Sequence, residues 1–343
     1  MLSTPVFDPW RSPLQVPDPE LLWIHPPYLR LTGNYTRGNI GEMLCLPPRP
    51  GQPYEIRYDR YGFRNDTDLT KADIAVIGDS YVESPYAPTE ALMTTVLSRL
   101  QRATVVNFGI SGFGPRQELV TLQQYAIPLG PKTIIWVFFE GNDLGDVHRY
   151  DALRADWSQM RTAAESLWER SFTKNVLLAL LRLSHGCRPN VYYDKRYGVV
   201  HDIAGQPMRL YFGEEASALS PRDLDALEKT RSILTNAFEQ TERHGMQLVV
   251  AFAPIAYRVY QHVADFTETG KEFHWWTLSD LPDRLGRILS DISPRIGYVD
   301  LTPALVASAR QGRLVYLLDD THWTTEGHAV VAMALNDYLG DPL

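Results

Sequence analysis

From Asp73 onward the chain alternates between short apolar runs and stretches of helical periodicity, a pattern that few architectures accommodate. Ile74–Ile77, Thr104–Phe108 and Thr133–Phe139 are rich in β-branched and aromatic residues, as strands buried on both faces are. Helical stretches near 87–101 and 115–128 lie between them. A helix near 221–243 leads to a fourth apolar run, Gln247–Phe252, and Ile296–Leu301 reads as a fifth. A closing helix over Thr325–Tyr338 is expected to bury Ala329, Val330, Ala332, Met333 and Leu335. Strands that alternate with helices pair in parallel, with helices on both faces, so the expected fold is α/β: a three-layer α/β/α sandwich around a mainly parallel five-stranded sheet.

Two segments depart from that alternation. Residues 1–70 are dense in proline and aromatics without a period of 2 or 3.6, and read as an extended arm with short strands. Trp10, Trp23, Tyr28, Tyr35, Tyr54, Tyr58, Tyr61 and Phe63 are too much apolar area to leave in water, so the arm is expected to pack on the core formed by residues 71–343. Within that core an insertion is expected at about 145–220, with helices near 151–184 and a turn-rich stretch from Cys187 to Gly213.

With 33 basic against 41 acidic residues the net charge is −8, the wrong sign for binding phosphate backbones, so nucleic acid is not an expected partner. Cys45 and Cys187 stand in no metal-ligand spacing, and both are expected to be free thiols. The first residues, MLSTPVFDPWRSPLQ, lack the basic start and apolar run of a signal peptide, and no later run is long enough to cross a bilayer. As written the chain is expected in the cytoplasm, or in the periplasm or medium if a leader has been removed.

The chemistry gathers where the strands end. The first apolar run leads directly into Gly78-Asp79-Ser80, placing a hydroxyl at the carboxyl edge of a central strand, where ligands of open parallel sheets bind. Taken alone, Ser80 also fits an ordinary helix N-cap. The second run ends in Asn107-Phe108-Gly109-Ile110-Ser111-Gly112-Phe113-Gly114, whose glycines allow backbone N–H groups to approach a ligand. Its order, G-x-x-G-x-G, is not that of a dinucleotide fingerprint. The third ends in Glu140-Gly141-Asn142-Asp143, where a side-chain amide could donate to a developing oxyanion or simply make a turn. Near the C-terminus, Asp319-Asp320-Thr321-His322 sets a carboxylate three residues before an imidazole, from where Asp319 is expected to fold back onto Nδ1 within one turn and fix the tautomer for general-base work. His322 and His328 would lie about 600° apart around a helix, which disfavours a two-histidine metal site.

Together and in this order, GDSY, NFGISG, EGND and DDTH resemble the blocks of the SGNH (GDSL-like) hydrolase family, and Tyr61-Gly62-Phe63-Arg64 is similar to a segment often found ahead of the GDS block in bacterial members. The resemblance implies a flavodoxin-like sheet, with Ser80 as nucleophile, His322 as base and Asp319 as its partner, Asp320 standing only two residues before the histidine. It implies an oxyanion hole from the N–H groups of Ser80 and Gly112, the latter matching better than Gly109, and from the side chain of Asn142. It implies a serine esterase acting on small or carbohydrate acyl esters through an acyl-enzyme, without metal or organic cofactor. An O-acyltransferase delivering to a polysaccharide or other alcohol, and a non-catalytic glycan-binding module, are the alternatives. No G-x-S-x-G elbow and no H-E-x-x-H occur.

Overall fold

The computed structural model describes residues 14–155 and 187–340. The arm folds as two antiparallel hairpins, β1 (Val16–Asp18) with β2 (Leu22–Ile24), and β3 (Arg30–Tyr35) with β4 (Gln52–Arg57). The central strands follow as β5 (Ile74–Gly78), β6 (Val105–Gly109) and β7 (Thr133–Phe139). A third hairpin joins β8 (Tyr197–His201) to β9 (Pro207–Tyr211) within the turn-rich part of the expected insertion. The sheet resumes with β10 (Gln247–Ala253) and β11 (Gly297–Asp300).

The five central strands form one parallel sheet in the order β11-β10-β7-β5-β6. Alternate residues feed two apolar layers, as the two-residue repeat of a strand requires. Ala75, Ile77, Ile134, Trp136, Phe138, Val250 and Phe252 meet the helices Pro221–Arg243 and Leu281–Ile292 on one face. Ile74, Val76, Ile135, Val137, Val249 and Ala251 meet Met93–Gln101 and Thr325–Leu339 on the other. The fold is the expected α/β/α sandwich.

The arm contributes to these layers directly, since Leu21, Leu22, Trp23 and Phe63 are fully buried with the first face. Two expectations need correction. The closing helix buries His328, Val331, Ala332 and Leu335, spaced i, i+3, i+4 and i+7, together with Val330, so Ala329 is only half-buried and Met333 is exposed. Cys45 and Cys187 are bonded to each other, their Cα atoms 5.8 Å apart, so the arm is stapled to the segment ahead of β8. Sequence spacing says nothing about proximity across 142 residues. Of the helices expected near 151–184, only the end of Asp143–Ala155 lies within the described residues, and Trp10 lies outside them. Among the described residues no helix is long and apolar enough to cross a membrane.

Candidate active site

At the carboxyl end of β5 the chain turns at Asp79, which caps the short helix Ser80–Glu83 by accepting the Tyr81 N–H at 2.9 Å. The cap is thus Asp79 and not Ser80, which leaves the Ser80 hydroxyl for other work. That hydroxyl donates to Nε2 of His322 at 2.8 Å, and Nδ1 of the same ring donates to Oδ1 of Asp320 at 2.5 Å. Ser80 is partly exposed while His322 is 7 % and Asp320 0 % exposed, so the chain of hydrogen bonds runs inward from a reachable hydroxyl.

The imidazole's partner is therefore Asp320, where the resemblance had implied Asp319. The physical reason lies in the tight loop between Tyr316 and Trp323, which pair as a β-bridge with the Leu317 N–H donating to the His322 carbonyl at 2.9 Å. In so short a loop Asp320 accepts the His322 backbone N–H at 3.1 Å as well as Nδ1, and its other oxygen accepts the Asn39 N–H at 2.7 Å. Asp319 points instead to the arm, accepting the Gly38 N–H at 3.1 Å and Nη2 of Arg49 at 2.5 Å. A Cβ on Gly38 or Gly41 would collide with Asp319, so glycine is required at both positions.

The charges fit an ionised orienter that favours the imidazolium form of His322. Burial works to raise the Asp320 carboxyl, but the His322 charge and its hydrogen bonds, with the Asn39 N–H, hold it below the ordinary value. Burial works to lower His322, and the Asp320 charge and hydrogen bond, aided by Asp79 and Glu214, raise it above 6.5.

The three expected oxyanion donors sit on adjacent strand ends. Asn142 precedes the helix Asp143–Ala155 and donates from Nδ2 to Oδ2 of Asp79 at 3.1 Å. An amide nitrogen carries two N–H bonds, so this contact orients the group and leaves a second donor. Gly112 lies in the turn closed by the Phe113 N–H on the Ile110 carbonyl at 3.0 Å, with φ +80°, the conformation a type II turn requires at its third residue. Gly109 serves packing instead, because a Cβ there would collide with the backbone N of Glu83, and its hydrogen lets β6 lie against the helix Ser80–Glu83.

Several residues at the site carried no assignment from the sequence. Glu83 accepts the Tyr58 hydroxyl at 2.6 Å and the Ser111 N–H at 2.5 Å, and lies 3.0 Å from Nε2 of His25. Arg64, noted only as part of a resembling segment, donates to the carbonyls of Glu83, Ser84 and Ala87 and so holds the helix end where Ser84 adopts φ +47°. Glu214, beyond β9, is pushed up to about 7 by burial and lies near enough to Thr321 and His322 to feel both. The signal for Glu83 was its place three residues after Ser80 on one short helix; for Arg49, His25 and Glu214 no local signal exists, because their partners are remote in sequence.

Residues 203–341 match the family model of the SGNH hydrolase-like domain of the acetyltransferase AlgX. Among curated proteins none matches the sequence. Solved structures that align with this chain include a protein of the G-D-S-L lipolytic family from Desulfitobacterium hafniense, 14 % identical over 78 % of this chain and 99 % of that one with a TM-score of 0.41. Another is a catalytic mutant of the acetylxylan esterase Axe2 from Geobacillus stearothermophilus, 13 % identical over 80 % of this chain and 96 % of that one with a TM-score of 0.42. Over residues 203–341, which carry the DDTH block, the chain is thus similar to SGNH hydrolase-like proteins, and its other three blocks lie at the ends of adjacent strands of one parallel sheet.

Proposed function

We propose that the protein transfers acyl groups from esters through a covalent intermediate on Ser80, with His322 as base and Asp320 as its orienting carboxylate. The observation that carries this reading is the continuous Ser80–His322–Asp320 hydrogen-bond chain, 2.8 Å and 2.5 Å long in its two links. In the first half-reaction Nε2 takes the Ser80 proton as Oγ attacks the ester carbonyl. The oxyanion is met by the N–H groups of Ser80 and Gly112 and by Asn142. The imidazolium then protonates the departing alcohol, and the second half-reaction repeats these steps with an incoming hydroxyl.

Hydrolysis and transfer differ only in whether that hydroxyl belongs to water or to another alcohol. The match of residues 203–341 to an acetyltransferase domain supports the second reading, O-acetyl transfer to a carbohydrate hydroxyl. Incubation with p-nitrophenyl acetate and an oligosaccharide acceptor separates the two, acetylated sugar indicating transfer and free acetate alone indicating hydrolysis. In either case Ser80→Ala is expected to remove p-nitrophenol release and labelling by a fluorophosphonate, and retained turnover would reject the nucleophile. Since a neutral imidazole is needed and His322 is raised, turnover should fall on acidification with an inflection above 6.5.

A further inference from the structure

The loop expected to donate the Gly112 N–H is held by groups from the arm, through a buried relay that the reaction itself does not use. The Ser111 N–H donates to Oε2 of Glu83 at 2.5 Å, and the Ser111 carbonyl accepts the indole N–H of Trp23, in the middle of β2, at 3.4 Å. Within one planar trans peptide the C=O and the N–H of the following residue point in opposite directions. Holding the Ser111 carbonyl on Trp23 therefore fixes the direction of the Gly112 N–H, and holding the Ser111 N–H on Glu83 fixes the other side of the residue between them. Glu83 is itself 1 % exposed, and its second oxygen meets the Tyr58 hydroxyl and the His25 ring. His25 Nδ1 lies 2.5 Å from the Leu14 carbonyl, an acceptor only, while Nε2 faces the Glu83 carboxylate. Nδ1 must then carry a proton, and the approach of Nε2 to the carboxylate, with His25 raised by Glu83, makes the pair a buried ion pair.

We propose that Trp23, His25 and Tyr58 of the arm are positioning residues, acting through Glu83 and Ser111 to aim the Gly112 N–H at the oxyanion. This rests on the acyl-transfer reading above and extends it: the arm completes the site without touching the reacting atoms. Glu83 remains ionised although buried, held down to about 2 against that burial by the charge and hydrogen bond of His25, then by Ser111 and Tyr58. The groups facing Glu83 are His25, Tyr58, Arg64 and Tyr86. Burial keeps both tyrosines above 10 and an arginine stays cationic, so His25 alone changes charge near neutrality. Burial would lower His25, but Glu83 and the Leu14 carbonyl raise it, so its proton is lost only on the alkaline side of 6.5.

The test compares Trp23→Phe, Tyr58→Phe and His25→Gln with the unaltered protein in p-nitrophenyl acetate turnover and in amide hydrogen exchange. We expect each variant to lose about tenfold or more in kcat with KM unchanged, part of the 10²–10³ that deleting an oxyanion donor costs. The exchange of residues 109–114 should quicken, and in His25→Gln the alkaline decline of kcat should vanish. Unchanged exchange in these residues overturns the positioning role whatever the activity. Faster exchange with an unchanged kcat and pH profile overturns its catalytic relevance. If the unaltered protein neither turns over ester nor takes the fluorophosphonate, the acyl-transfer reading fails and the proposed aim falls with it, whereas the exchange result still reports on the relay.

Discussion

Asp319 and Asp320 are chemically identical neighbours with different partners, and that difference can be measured. Asp320 meets the imidazole and two backbone N–H groups, whereas Asp319 meets Arg49 and the Gly38 N–H. Asp320→Asn leaves an amide where the tautomer-fixing carboxylate stood, and kcat is expected to drop by about 10⁴ while the protein stays folded. Asp319→Asn is expected to cost less than about tenfold, since the loss is one charge-assisted contact with a half-exposed arginine. The reverse ranking in steady-state kinetics would restore Asp319 as the orienter. At this scale the sequence carried Ser80, Gly112 and Asn142 as a pattern of strand ends, because each follows an apolar run that reads clearly, and His322 as an imidazole close behind carboxylates ahead of the closing helix. Of two carboxylates one residue apart it pointed to Asp319, where the imidazole meets Asp320, since that choice is made by Asn39 and Gly38 from the far end of the chain.

Elements of the sheet were legible for the same reason: Thr133–Phe139 and Pro221–Arg243 are long, periodic segments whose boundaries are set by their own residues. The arm was legible only as something apolar enough to pack. Its hairpins and its grip on Asp319, Asp320 and Ser111 depend on pairing across the molecule, and the Cys45–Cys187 bond spans 142 residues that no motif connects. That bond joins the loop that holds Asp319 and Asp320 to the segment before β8, where the Asn190 N–H also donates to the Met43 carbonyl at 2.8 Å. Closing so long a loop constrains the unfolded chain, an effect of about 2–4 kcal/mol in typical proteins. Because Cys187 is exposed, dithiothreitol should reach the bond, lower the melting temperature by several degrees and produce two titratable thiols. Cys45→Ser should reproduce the loss of stability and make the protein indifferent to reductant.

Across the whole molecule one cost stands out beneath the site, where Asp79, Glu118, Asp143 and Asp146 are buried close to one another. Burial, with the charge of Asp79 and Asp146, raises Glu118 well above 4.5, so the folded state binds its proton more tightly than the unfolded chain does. Its contribution to stability is present at low pH and is lost as pH rises toward the folded value. Glu118→Gln is isosteric and has no proton to lose, so it should melt about 2–5 °C higher than the unaltered protein at pH 8 and no higher at pH 5. An equal gain at both values would mean that packing and not charge sets the difference. The clamp between residues 38–49 and Asp319 carries a consequence of another kind. Gly38 and Asp319 are separated by 281 residues, and His322 follows every strand of the central sheet. On the ribosome, a chain whose synthesis has reached β11 can already hold its complete sheet and an exposed Ser80, yet it has neither base nor clamp. On the acyl-transfer reading proposed above, Ser80 thus stays inert through most of translation and becomes reactive only when the stretch around His322 threads back to meet residues 38–49.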